Sequence, residues 1–325
     1  MKQSLLDMPV EQALRRLVHR HLAAAARGLE RAQDPDDHKG LHGFRVAIRR
    51  LRSLLRAYRP WFGRAAGRKP RHRLRELTRA TNEARDAHVQ LTWLARETAS
   101  LDREDRPGVA WMRKKLRGRR RGASRPAIAR LARNFTHATE LLERRLGQMK
   151  HTDACTFRSA FGEVFEPAAD RFRSRLAAIT GPGDYRNIHR TRIQVKRLRY
   201  LVEPLRREID EARAVDLQLR KLQQQLGELH DIQVLETELG VAVEDAASEK
   251  ARHMHELAVT GAIRRLTQTR RRDEVLGLLV LAGRARAERD ALYEEFDRAW
   301  LTDRAAAFDR DLRKLSESLR PDDLA

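Results

Sequence analysis

The chain has 325 residues, of which 68 are Lys or Arg and 46 are Asp or Glu, leaving a formal net charge of +22 at pH 7. That surplus points to a polyanionic partner, whether nucleic acid, polyphosphate or an anionic membrane surface, and the length can bury a large core in one or two domains. No apolar run approaches the ~20 residues of a membrane span, and the single cysteine, Cys155, excludes an internal disulfide and a cysteine zinc site.

Ala, Leu, Arg, Glu and Gln dominate, alternating β-branched runs are missing and breakers fall at long intervals, which predicts an all-α chain. The breakers are Asp34-Pro35-Asp36, Arg59-Pro60 through Lys69-Pro70, Arg106-Pro107-Gly108, Gly118 through Pro126, and Gly181-Pro182-Gly183-Asp184. They mark out helices over about 10–33, 42–60, 71–101, 108–148 with an interruption, 154–180, 185–209, 212–240, 245–271 and 274–319. Asp184 is the expected N-cap of the 185–209 helix. Short connections make neighbouring helices antiparallel, so the expected architecture is two up-and-down four-helix bundles, divided near residues 149–153 into 1–150 and 151–325. Lys2 is not followed by an apolar signal core, which makes the cytoplasm the expected location. Cys155, beside Phe157 and Phe161, is read as a small core residue.

Two of these helices carry nearly the same word. One reads Leu41-His42-Gly43-Phe44-Arg45-Val46-Ala47-Ile48-Arg49-Arg50-Leu51-Arg52, the other Ile188-His189-Arg190-Thr191-Arg192-Ile193-Gln194-Val195-Lys196-Arg197-Leu198-Arg199, an offset of 147. A basic word repeated at half-chain separation marks a duplicated unit. At about 100° per residue, His42, Arg45, Arg49, Arg52, Arg56 and Arg59 share one side of the helix, and Phe44, Ile48, Leu51, Leu54, Leu55 and Tyr58 share the other. The second copy sets His189, Arg192, Lys196, Arg199 and Arg206 over Val195, Leu198, Leu201, Val202 and Leu205. Like charges three and four residues apart destabilise a bare helix, so a stripe almost free of acid calls for an external anion. Glu203 stands where the first copy has Arg56, and Pro204 after it is expected to bend the second helix.

The duplication continues in the next helix of each half, as Glu83-Ala84-Arg85-Asp86-Ala87-His88-Val89 and Glu228-Leu229-His230-Asp231-Ile232-Gln233-Val234, now offset by 145. Asp86 and Asp231 either orient arginines of the neighbouring stripe or merely offset local positive charge.

These paired words, apolar-His-x-x-Arg-x-x-x-[Arg/Lys]-Arg-Leu-Arg followed by [Arg/His]-Asp-x-x-Val, resemble the CHAD family of helical histidine-containing domains over about residues 5–320. The resemblance implies two bundles related by pseudo-twofold symmetry, a basic surface across their junction, binding of inorganic polyphosphate and association with polyphosphate granules. It implies ligand contacts from His42, Arg45, Arg49, Arg52 and Arg56, and from His189, Arg192, Lys196 and Arg199, with Arg75 and Arg220 flanking. The chain departs from its own repeat in having His230 opposite Arg85 and Glu203 opposite Arg56.

Polyphosphate suits such a surface on physical grounds: it offers closely spaced charges without bases, arginine forks match its oxygens, and histidine adds a pH-sensitive donor. Aromatics are 5% of the chain and none stands outward in the stripes, whereas single-strand nucleic-acid binders present stacking platforms. Sequence-independent nucleic-acid binding is the alternative that charge alone would produce. Some family relatives carry a triphosphatase domain marked by Glu-x-Glu-x-Lys, which does not occur here, and Gly118 and Gly122 lack the Gly-Lys-Ser/Thr of a P-loop. His19 with His21, and His253 with His255, are two apart and point to different helix faces, so no metal site, cofactor or catalytic residue is expected. With an ordinary histidine pKa of about 6.5, affinity for a polyanion is expected to rise as pH falls through roughly 6–7.

Overall fold

The computed structural model describes residues 4–34, 37–120, 125–149, 155–261 and 273–319. Among these residues the structure is helical throughout, apart from an isolated bridge between Pro9 and Thr156. The helices are α1 (Val10–Arg31), α2 (His38–Ala57), α3 (Arg59–Phe62), α4 (Arg68–Arg79), α5 (Asn82–Thr98), α6 (Arg106–Arg120), α7 (Arg125–Gly147), α8 (Phe157–Ala177), α9 (Tyr185–Val202), α10 (Asp210–Val259), α11 (Glu274–Asp297) and α12 (Ala305–Glu317). Short 3-10 turns follow α3 and α9, and a π-helical segment, Arg298–Asp303, joins α11 to α12. Lys2, the expected division at 149–153, the breakers Asp34-Pro35-Asp36 and Gly118 to Pro126, and the end of the expected 245–271 helix lie wholly or partly outside the described residues.

The all-α expectation holds, and three boundaries move for identifiable reasons. The expected helices 212–240 and 245–271 are one helix as far as Val259. Gly240 lies inside it, since a glycine in a helix interior costs only about 1 kcal/mol and the flanking turns supply enough packing to carry the helix through. At 50 residues α10 is about 75 Å long. Conversely, the expected helix 71–101 is two, interrupted at Ala80 and Thr81 between α4 and α5. Pro204 ends α9 outright instead of bending it: the α-helix stops at Val202 and Glu203–Leu205 is a 3-10 turn.

Two hydrophobic cores result. The larger gathers Leu14 and Leu17 of α1, Phe44, Ile48 and Leu51 of α2, Phe157, Phe161 and Phe165 of α8, Val195 and Leu198 of α9, Leu219 and Leu226 of α10, and Phe308 of α12. The smaller joins Trp93 and Leu94 of α5, Met112 and Leu116 of α6, Leu235 and Leu239 of α10, and Leu278 and Leu281 of α11. Both cores therefore draw on both halves of the sequence, and α10 runs through the two. Packing pairs repeat along the chain: α1 lies on α2 and α8 on α9, α5 on α6 and α10 on α11, α4 on α7 and α10 on α12, while α2 touches α9. Cys155 packs half-buried at the edge of the larger core.

The α1–α2 contact sets the site helix against the core and depends on two glycines. A Cβ on Gly28 would fall 2.4 Å from the Phe44 amide nitrogen, and one on Gly40 would fall 2.5 Å from that of Ala32. Backbone cannot yield as a side-chain tip does, so Gly28→Ala is expected to destabilise the protein by about 1–3 kcal/mol through overpacking. Thermal unfolding followed by circular dichroism checks this; an unchanged melting temperature would mean that the two backbones do not meet there.

Candidate anion-binding site

The repeated words form α2 and α9, and their apolar faces fix how each helix is rotated. Phe44, Ile48, Leu51 and Leu55 are buried beneath α2, as are Val195, Leu198 and Val202 beneath α9. Both starts are capped by aspartate: Asp37 accepts from the amides of Lys39 (3.0 Å) and Gly40 (3.2 Å), and Asp184 accepts from that of Asn187 at 3.1 Å. The Asp184 cap is the expected one. With the apolar faces committed to one core and α2 against α9, the cationic stripes converge.

They meet at a cavity of about 280 Å³ lined by Arg45 and Arg49 from α2, His189 and Arg192 from α9, Asp86 from α5, and His230 and Asp231 from α10. Equivalent positions of the two copies share this one space: Arg45 with Arg192, Asp86 with Asp231, and Val89 with Val234. Arg192 lies 4.0 Å from Asp231, a distance that fits both roles considered for the duplicated aspartates. The rings of His189 and His230 are 4.9 Å apart. Its counterpart Arg85 has a side chain outside the described residues.

The arginines of the first stripe differ in role. Arg45 is buried at 4% exposure and donates to the Thr81 carbonyl and, at 2.9 Å, to the Thr81 hydroxyl. Thr81 stands at the break between α4 and α5, as the residue that precedes α5, so the interruption of the helix sets the residue that holds Arg45. Arg52 donates to the Thr78 hydroxyl at 3.2 Å, Arg49 is half-buried, and His42, Arg56 and Arg75 are exposed. Burial, then the charges of Arg75, Arg49 and Arg56, push the Arg52 pKa down. Burial, then Arg56 and Arg171, do the same to Arg197 of the second copy. Among the described residues, none of Arg49, Arg52, Arg56, Arg75 and Arg197 has a carboxylate within 4.0 Å. They form a ridge of mutually repelling cations.

The second stripe is different beyond the shared cavity. His189 is exposed, and Arg192 and Lys196 are half-buried. Arg199 is buried and lies 3.6 Å from Asp216 and 3.7 Å from Glu203. Arg220 pairs with Asp216 at 2.8 Å. Asp216 and Glu203 thus offset part of the charge of this arm, whereas among the described residues Arg49, Arg52 and Arg56 of the first copy have no carboxylate within 4.0 Å.

Arg50, Arg197 and Thr81 were not among the expected site residues. Arg50 and Arg197 occupy equivalent places in the two words, but a helical wheel sets them to the side of the stripe. Packing of α2 on α9 brings Arg50 to Glu203, with Nε at 2.7 Å, and brings Arg197 under the influence of Arg56. The doubled basic pair, Arg49-Arg50 and Lys196-Arg197, was the available signal. The His19 and His21 pair separates as expected of a helix: His19 lies 3.2 Å from Glu143, whereas burial with Arg20 and Arg50 pushes the His21 pKa down to about 3. Among the described residues no group of three or more His, Cys, Asp or Glu side chains is placed to hold a metal ion, and no helix is long and apolar enough to cross a membrane.

Comparison with known proteins adds a family. The model of the CHAD domain matches residues 13–240. PptA from Streptomyces chartreusis has a similar structure, with a TM-score of 0.67 at 16% identity, covering 91% of this chain and 100% of that one. The crystal structure of the CHAD domain from the plant Ricinus communis is also similar, with a TM-score of 0.59 at 20% identity over 95% of this chain and 93% of that one. No curated protein matches the chain by sequence.

Protonation at the cavity follows from its charges. Burial, then the neighbouring Arg192 and Lys196, hold the His189 pKa below its ordinary value, so the imidazole is neutral at pH 7 in the free protein. A bound anion favours the imidazolium, and binding therefore takes up a proton. Affinity then rises as pH falls from the bound-state pKa of His189 to its free-state pKa, and the lower end of that window lies below the ordinary value of about 6.5. In an NMR titration His189 should titrate below that value in the free protein and higher when polyphosphate is added; a free-state pKa at or above it would contradict the placement.

Proposed function

The chain belongs to the CHAD domain family, a family known for polyphosphate binding, and from that premise we propose that it binds inorganic polyphosphate, without catalysis, at the junction of α2 and α9. CHAD domains are generally non-catalytic binding modules. The observation that carries the reading is the acid-free ridge of Arg49, Arg52, Arg56, Arg75 and Arg197 opening from a cavity lined by both copies. Repulsion among these guanidiniums is relieved by a ligand that brings one negative charge per phosphorus, and a flexible chain can follow a ridge that no compact anion would fill. His42, His189, Arg192 and Lys196 supply further donors around the cavity. Arg45 acts from below, held by Thr81, and Arg199 and Arg220 act through their carboxylate pairs.

In this reading residues 1–150 and 151–325 are two copies of one ancestral helical bundle, related by a pseudo-twofold axis through the cavity. The sharing of Arg45 with Arg192, and of Asp86 with Asp231, supports that symmetry. Binding to long chains would target the protein to polyphosphate granules.

Net charge alone would also favour nucleic acid, so the test must separate the two. Arg49→Glu is expected to weaken long-chain polyphosphate binding by at least about tenfold, from lost charge-assisted hydrogen bonds plus added repulsion, with the helical circular dichroism unchanged. Titration calorimetry measures the affinity. Duplex DNA that displaced polyphosphate at equal charge concentration would decide for nucleic acid, and unchanged affinity in Arg49→Glu would remove the ridge from the site.

A further inference from the structure

A second cavity, of about 420 Å³, lies where the end of α9 meets α2 and α10. Four guanidiniums line it, those of Arg50, Arg199, Arg206 and Arg220, together with Glu203 and two glutamines. Asp216 lies beneath, 3% exposed, 2.8 Å from Arg220 and 3.6 Å from both Arg199 and Arg206. Glu203 accepts from two nitrogens of Arg50. The arginines are held from below: Arg199 also donates to Gln223 at 2.8 Å and lies over the Tyr200 ring at 4.7 Å.

The placement of charge is directional. The carboxylate side chains of Glu203 and Asp216 are 14% and 4% exposed, whereas those of Arg50, Arg206 and Arg220 are 28%, 34% and 45% exposed. Each guanidinium has five N–H donors in one plane, so a carboxylate gripping one edge leaves another turned to the cavity. The acids orient the arginines without consuming them. Four positive and two negative charges leave a surplus of two around a cavity that opens to solvent. A surplus of two matches one dianion, whereas a long run of charged phosphates brings more negative charge than the cavity offsets.

We propose that this cavity binds one compact phosphoryl dianion, either free orthophosphate or the terminal group of a phosphate chain. A terminal phosphoryl group carries a second ionisable oxygen, as a phosphomonoester does with a second pKa of about 6, and so reaches a charge of about −2 near neutral pH. Interior groups cannot. The free-phosphate case stands without the long-chain reading above; the chain-end case rests on it.

Calorimetry at pH 7.5 with orthophosphate, and with tripolyphosphate whose ends are free or capped as phosphoramidates, tests this. Arg206→Gln and Arg220→Gln serve as two independent site variants, each checked for helicity, and Arg117→Gln on α6 controls for net charge. Orthophosphate binding that falls about tenfold in each site variant, and not in Arg117→Gln, supports the free-phosphate source. Tripolyphosphate binding that falls on capping, and falls in the site variants only when the ends are free, supports the chain-end source. Orthophosphate binding insensitive to both site variants, or no orthophosphate binding together with no effect of capping, overturns the proposal. Arg49→Glu that leaves long-chain affinity intact while orthophosphate still binds would sink the ridge reading and leave this site standing.

Discussion

Two helices carry opposite demands, and the balance between them organises the molecule. Each buried leucine, isoleucine or phenylalanine beneath α2 and α9 contributes about 1.5–3 kcal/mol, while each like-charged neighbour along the stripes costs only a few tenths. Burial wins by a wide margin, so the helices form and pack although their outer faces repel. The charge repulsion is not removed by folding; it is concentrated where α2 lies beside α9, the place proposed above to receive an anion.

The two copies handle that repulsion differently. In the first, Arg45 is held by Thr81 at the break between α4 and α5, and Arg49, Arg52 and Arg56 have no carboxylate within 4.0 Å among the described residues, while Arg50 reaches across to Glu203. The second has no break at the corresponding place, because α10 passes through Leu226 without interruption. There Arg192 sits near Asp231, and Arg199 is surrounded by Asp216 and Glu203. Duplicated sequence has thus yielded one open cationic arm and one arm with its own internal counter-ions.

Much of this could be read from residue order. The 3.6-residue periodicity of the two words predicts the buried apolar faces, which agree with burial, and the outward stripes, from which Arg45 and Arg199 depart by being buried. Asp184 as a cap was equally legible, because capping is local chemistry. What was hidden depended on contacts distant along the chain. The end expected at residue 240 was overruled by packing on both sides of α10. Thr81 carried no breaker signal, since its role is to receive Arg45 from another helix. Arg50 and Arg197 fell off the stripe by angle and reach the junction through the packing of α2 on α9. The carboxylate Asp216, at the place of Arg71, has no local pattern that would announce its arginine partners.

The interleaving of the halves in the larger core has a historical consequence. Tyr58 from the first half stacks on Phe157 from the second, their ring centroids 5.5 Å apart, and the strand-like bridge of Pro9 to Thr156 ties the two beginnings together. Each half of the sequence supplies part of the other's interior. Mutational drift at such positions is coupled across the gene: a change in ring size at one must be answered at the other, while the outward arms are free to diverge.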